Sequence, residues 1–242
     1  ENPALSFLSA LPEEYADEWV NKSMFHFRWS QQPDRDVTAA RLAMDLNPGA
    51  CESEIEDAKN AIVARMVPRL ALVGSSPENR AVIEASFERQ LRLLEGHLQK
   101  RPYLFGGRPA LADFGYGPEF YELTIDPSPS ARLKSNAPRV TDWARRMVNP
   151  VVGPDFESWE TLRPTLLPLL REEVAGCFFP WSDANARALA EGRNRFEVQL
   201  LGGMFAQATQ KYHSKSLSML RRRYHLMSNR LEIDQILEDA GC

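Results

Sequence analysis

Apolar side chains recur at three- and four-residue intervals through most of this chain, and no stretch shows strands alternating with helices. The pattern predicts an all-α fold and excludes a doubly wound or thioredoxin-like sheet, which needs βαβ units. One strand signal stands out. Phe196-Glu197-Val198-Gln199-Leu200 precedes Gly202-Gly203 and Met204 to Thr209, and alternation about a Gly-Gly turn predicts a small hairpin. The 242 residues are 43% hydrophobic and 26% charged, enough apolar material for a sizeable core and too much for a disordered chain.

The helical segments can be placed in order. From Glu13 to Trp29 two apolar stripes run side by side: Ala16, Val20, Met24, Phe27, and Tyr15, Trp19, His26, Trp29. So broad a non-polar face predicts a helix buried on more than one side. Pro12 is expected in its first turn, where Glu13, Glu14, Asp17 and Glu18 suit the helix dipole. A shorter helix follows from Asp34 to Leu46, closed by Asn47-Pro48-Gly49, and another runs from Glu52 to Leu72, bent by Pro68 and ended at Gly74. Ser76-Pro77 reads as an N-cap and first-turn pair for a helix that puts Ile83, Phe87, Leu91, Leu94 and Leu98 on one face. Its opposite face is polar, with Glu84, Arg89, Arg92 and Glu95. Further helices are predicted from Leu111 to Tyr121 and around Val140, Trp143, Ala144 and Met147. Residues 151–160 read as a loop. Helical character then returns through Leu166, Leu170 and Val174, interrupted by Pro164 and Pro168, and resumes from Trp181 to Ala190. A helix from Ser214 to Leu226 and a terminal one ending at Gly241 complete the chain.

Charge and cysteine content narrow the function classes. A net charge of −4 gives no overall reason to expect a nucleic acid or an anionic membrane. No apolar run approaches the ~20 residues that span a bilayer. Lys211, Lys215, Arg221, Arg222, Arg223 and Arg230 lie in one stretch without an acid among them; a solvated helix face is the favoured reading, a site for phosphates, anionic lipid or an acidic partner the alternative. Cys51, Cys177 and Cys242 have neither disulfide nor zinc-site spacing, which suits a reducing compartment, with Cys177 a buried thiol. His26, His97, His213 and His225 are far apart in sequence, so no metal site is expected. The chain begins at Glu1 without Met or a signal-like segment. A processed or trimmed product is therefore expected, cytoplasmic, or mitochondrial after processing.

The segment Arg101-Pro-Tyr-Leu-Phe-Gly-Gly-Arg-Pro-Ala-Leu-Ala-Asp-Phe-Gly-Tyr116 is the most specific in the chain, and Asp126-Pro127 and Ala137-Pro138-Arg139-Val140-Thr-Asp-Trp143 follow it. Together they resemble the C-terminal, all-α domain of the glutathione S-transferase family. Glu14-Tyr15-Ala16-Asp17-Glu18-Trp19 is similar to the first helix of that domain, so the resemblance covers residues 5–150 and leaves 151–242 as a hairpin-containing extension on the same bundle. Asp113 falls at the third helical position after Ala110. In a capping box an N-cap hydroxyl bonds the N3 amide while the N3 acid reaches back. Ala110 lacks the hydroxyl, a loss that typically costs about 1 kcal/mol, and Asp113 is read as structural, not catalytic.

The resemblance also implies what is missing. Family members bind glutathione, and carry the catalytic Tyr, Ser or Cys, in an N-terminal thioredoxin-like domain. This chain contains no such pattern, so no catalytic residue is assigned and glutathione is expected only where that domain is supplied. The first helix of the family's C-terminal domain faces the cleft for the hydrophobic cosubstrate. By that analogy Tyr15, Trp19, Lys22, His26 and Trp29, with Tyr116 from the sixth helix, are the candidate substrate-binding residues; packing within the bundle is the competing reading. Two functions remain open: the substrate-side half of a glutathione S-transferase-like enzyme adding a thiol to an electrophile, or a non-catalytic interaction subunit of a larger assembly. The expected partners are a thioredoxin-like domain or another protein subunit, with homodimerisation possible.

Overall fold

The computed structural model describes residues 2–242. Its first helix, α1 (Pro3–Tyr15), starts at Pro3 and not at Glu13. Asn2 is the cause: its side-chain oxygen accepts from the Ala4 and Leu5 amides at 2.8 and 3.2 Å, with Pro3 at the first helical position. Pro12, expected in a first turn, therefore sits inside the helix. The rod continues through a π-helical segment at Ala16–Val20 into α2 (Asn21–Ser30). Insertion of a π turn widens the helix and re-aims the side chains beyond it, a device frequent at functional sites.

Helices α3 (Gln32–Leu46) and α4 (Glu52–Met66) form an arm, and no residue of α4 is buried. A 3₁₀ turn at Val67–Ala71, carrying Pro68, brings the chain back to Gly74. Helix α5 (Arg80–His97) begins three residues after the expected Ser76-Pro77 cap. The Ser76 hydroxyl instead accepts from the Asn79 amide at 3.2 Å, closing a turn. The Asn79 side chain donates to the Gly74 and Ala206 carbonyls at 2.7 Å and accepts from the Ala206 amide at 3.0 Å. The expected apolar face of α5, from Ile83 to Leu98, is buried.

The recognisable segment forms α6 (Leu111–Ile125), α7 (Pro127–Asn136) and α8 (Pro138–Arg146). Helix α6 outruns its predicted end at Tyr121 by one turn. Gly115 lets it lie directly on α1, for a Cβ there would come within 2.9 Å of Glu13 Cα. Beyond the loop, α9 (Trp159–Leu169), a second π segment (Leu170–Phe178) and α10 (Phe179–Ala190) make another unbroken rod. Pro164 and Pro168, expected to interrupt it, lie within α9. Tertiary packing outweighs the hydrogen bonds they forfeit, since Leu162, Leu166 and Leu169 are all buried there.

The hairpin is as the alternation predicts: β1 (Arg195–Leu200) pairs antiparallel with β2 (Gly203–Ala208), Val198 opposite Phe205. Phe196, Leu200 and Phe205 face inward. Helices α11 (Lys211–His225) and α12 (Leu231–Ala240) close the chain, and Gly241 takes the left-handed conformation (φ 80°) that ends α12. The fold is an all-α bundle with one small hairpin. Residues 151–242 pack onto it, sharing one continuous core with α1, α2, α5 and α6.

Candidate functional site

Asp113 is fully buried at the entry to α6. One carboxylate oxygen accepts from the Leu104 amide and Trp143 Nε1, both at 2.9 Å; the other accepts from the Ala110 amide at 2.9 Å. Burial pushes its pKa up to about 6 against these bonds. The hydroxyl missing at Ala110 is replaced from another helix: Ser9 Oγ, on α1, accepts from the Ala112 amide at 3.2 Å.

The aromatic stripe lies inside the protein. Tyr15, Trp19, Lys22, His26, Trp29 and Tyr116 are each no more than 4% exposed. Tyr15 packs against Tyr116 and Phe178, and Trp19 against Trp181 and Phe205. The Lys22 ammonium stands 4.0 Å over the Trp181 ring; burial pulls its pKa down to about 7, only partly opposed by Glu18. Residues 170–207 thus cover the face of the first helix that the resemblance would turn toward a cosubstrate. His26 and Trp29 lie apart from this group. His26 Nδ1 is 2.7 Å from Ser75 Oγ, and burial lowers its pKa. Trp29 packs beside Phe25.

In the second π segment, Glu173 is fully buried and gathers donors from two helices, α1 and α5. It accepts from Tyr15 Oη at 2.7 Å, Ser86 Oγ at 2.5 Å and Arg89 Nε at 2.8 Å. Arg89, expected on the polar face of α5, turns inward to this carboxylate and also reaches Cys177 Sγ at 3.2 Å. Cys177 is buried as read from the sequence, and burial beside Glu173 pushes its thiol up to about 12. Every oxygen of this cluster is engaged, so it fastens the rods together and presents no reactive atom to solvent.

A different group forms where α1 meets α11. Glu13, Glu14, Asp17 and Glu18 face Tyr212, Ser216, Met219, Leu220 and Arg223 across a cleft of about 220 Å³. His213, buried behind Glu14 and Glu18, brings Nδ1 to 3.5 Å from Glu18 Oε2 and 4.0 Å from Glu14 Oε1. Neither that nitrogen nor Glu14 Oε1 has a hydrogen-bond partner among the described residues. Burial, reinforced by Glu18, Glu13 and Asp17, raises Glu14 to about 7. Sequence spacing alone misses this cluster because its histidine and its acids come from opposite ends of the chain. Arg223, from the basic stretch, faces these acids; Arg222 and Lys215 remain on the solvated side.

Helix α6 carries an apolar face on each side. Ala112, Tyr116, Phe120 and Leu123 point into the core. Leu111, Phe114, Pro118, Tyr121 and Ile125 are all exposed and repeat at alternating spacings of three and four. The four large side chains among them are 36% to 52% exposed. At the N-terminal end of this stripe, Leu5, Phe105, Arg108, Leu111 and Phe156 line a groove of about 560 Å³.

The family model for the glutathione S-transferase C-terminal domain matches residues 60–146. The matched segment runs from within α4 through α8, and the helical fold with its small hairpin is consistent with a domain of that type. The match begins after α1 and α2, so it covers neither the acidic cleft nor the aromatic stripe apart from Tyr116. No curated protein and no solved structure matches the chain.

Proposed function

We propose that this chain is the helical unit of a glutathione S-transferase-like protein and docks a thioredoxin-like domain over the exposed face of α6. The carrying observation is the stripe Leu111, Phe114, Pro118, Tyr121 and Ile125. An apolar seam at three- and four-residue spacing left open to water is the pattern of a helix awaiting a partner. Domains of the matched family pair with a thioredoxin-like domain, which brings the glutathione site and the nucleophile. The adjoining groove beside Phe105, Leu111 and Phe156 then lies at the junction and offers apolar walls to an electrophile.

The self-covered stripe supports a second reading, a unit that docks without conjugating. With Tyr15, Trp19 and Lys22 under residues 170–207, the cosubstrate face of the first helix is filled by the chain's own extension. Glutathione conjugation of chlorodinitrobenzene separates the two. The chain alone is expected to be inactive. Mixed with a thioredoxin-like domain expressed from the same gene or a neighbouring frame, it should form a complex that Phe114→Asp abolishes. A conjugating complex supports the enzyme reading, and an inactive one supports the docking subunit. Conjugation by the chain alone, or a complex indifferent to Phe114→Asp, overturns the assignment.

A further inference from the structure

We propose that Glu14, Glu18 and His213 form a binding site for one divalent transition-metal ion. The argument starts from the histidine. His213 is 1% exposed and fixed between aromatic rings, its centroid 4.3 Å from that of Trp181 and 5.6 Å from that of Phe178. Ser182 Oγ has one proton, and it donates it to the Phe178 carbonyl at 2.7 Å. The Ser182 oxygen, 2.8 Å from His213 Nε2, must therefore accept from that nitrogen. This places the proton on Nε2 and leaves a lone pair on Nδ1, directed at two carboxylates. A ligating histidine whose other ring nitrogen donates to an outer partner is the usual arrangement around a metal.

The three ligand atoms lie within 4.8 Å of one another. Two ligands of a tetrahedral ion at about 2.1 Å stand roughly 3.4 Å apart. The 3.5 Å from Nδ1 to Glu18 is already at that spacing, and Glu14, whose carboxylate is unconstrained by hydrogen bonds at Oε1, closes the third side by rotation. The local backbone contributes too. Glu14 and Glu18 flank the entry to the Ala16–Val20 π segment, where the slower rotation per residue brings side chains four apart closer to one line than an α-helix does.

The donor set decides the class of ion. One imidazole nitrogen with two carboxylates suits zinc and its first-row neighbours more than magnesium or calcium, which take oxygen ligands. With both carboxylates ionised, the three converging acceptors repel one another, and a cation relieves that repulsion. The remaining coordination position opens on the cleft, where Glu13 and Asp17 add negative charge and Arg223 stands on the facing helix. The site is independent of α6 and of any thioredoxin-like partner.

The experiment is competition for Zn²⁺ between a chromophoric chelator and the full chain, beside Glu14→Gln, Glu18→Gln and the double variant. Both glutamates are partly exposed, so these substitutions preserve the fold where replacement of His213 would open the core. Far-UV circular dichroism checks this. One Zn²⁺ per chain is expected, bound at least about tenfold more weakly by each single variant and not at all by the double variant. Zn²⁺ should also raise the melting temperature of the native chain and leave that of the double variant unchanged. The proposal is overturned if the native chain takes up no zinc, or if the double variant binds it as tightly as the native chain.

Discussion

Arg28 Nε donates to Asp126 Oδ2 at 2.7 Å, with both side chains in the interior. Asp126 also accepts from Thr38 Oγ1 at 2.9 Å and from Arg41 at 3.2 Å. One carboxylate at the junction of α6 and α7 thereby holds α2 and α3 in place. Without Asp126, Arg28 keeps Glu122 as its counter-ion, but its Nε and the Thr38 hydroxyl lose their acceptor in the interior. Asp126→Ala should destabilise the protein by about 2–3 kcal/mol in urea unfolding. A loss below about 1 kcal/mol, the range of a surface pair, would show that Arg28 is satisfied without it.

Ser9 and Ala110 divide between them what a capping box does in one residue. Ser9→Ala should therefore cost about 1 kcal/mol. Ala110→Ser, at an N-cap with extended backbone, supplies the hydroxyl locally and should recover most of that loss in the Ser9→Ala background. A double-mutant cycle measures the coupling. Strict additivity would show that the two hydroxyls do not serve the same helix end.

His97 sets an acid limit on stability. Its Nε2 donates to the Leu104 carbonyl at 2.8 Å, and Nδ1 accepts from Arg101 at 3.0 Å, so the neutral ring is the one that fits. Burial, aided by the Arg101 charge, pulls its pKa from 6.5 to about 4. Between these values the unfolded chain takes up a proton that the folded chain refuses, so stability falls as pH falls. The loss should approach about 3 kcal/mol by pH 4 and be absent above pH 7. An NMR titration showing His97 charging near pH 6.5 in the folded protein would contradict this.

The three thiols should separate by reactivity. Cys51 is exposed at the start of α4, where bonds from Ser53 and the Glu54 amide favour its thiolate. Cys242 is exposed at the chain end, and partial desolvation raises it to about 11. Cys177 is buried beside Glu173. Titration of the native protein with a disulfide reagent at pH 8 should modify Cys51 first, Cys242 more slowly, and Cys177 only after denaturant is added. Modification of Cys177 in the native state would mean that the α10 rod opens readily.

Periodicity made the helices legible because most of them bury one stripe, as Ile83 to Leu98 do in α5. It was silent where the determinants were not periodic. Asn2, a single capping side chain, moved the start of α1 to Pro3, and two prolines in α9 were tolerated because the leucines around them are buried. The π segments left no mark, since an inserted turn changes the phase of a pattern without changing its composition. The exposed seam of α6 was present in the sequence, but a helix apolar on both sides reads as simply buried until its surroundings are known. Asp113 could be assigned because its partners at Leu104 and Ala110 are local. Glu14, Glu18 and His213 could not, because only the docking of α11 on α1 brings them together.

The covering of Trp19 by Trp181 and Phe205 also fixes what counts as an indivisible piece of this molecule. A cut after residue 150, where the recognisable segment ends, would strip the roof from Tyr15, Trp19 and Lys22 and leave Arg89 without its counter-ion. What remained would be a sticky, loosely ordered remnant and not a minimal domain. Anyone shortening this protein for crystals, fusions or display should trim α4, none of whose residues is buried, and leave the carboxy-terminal third intact.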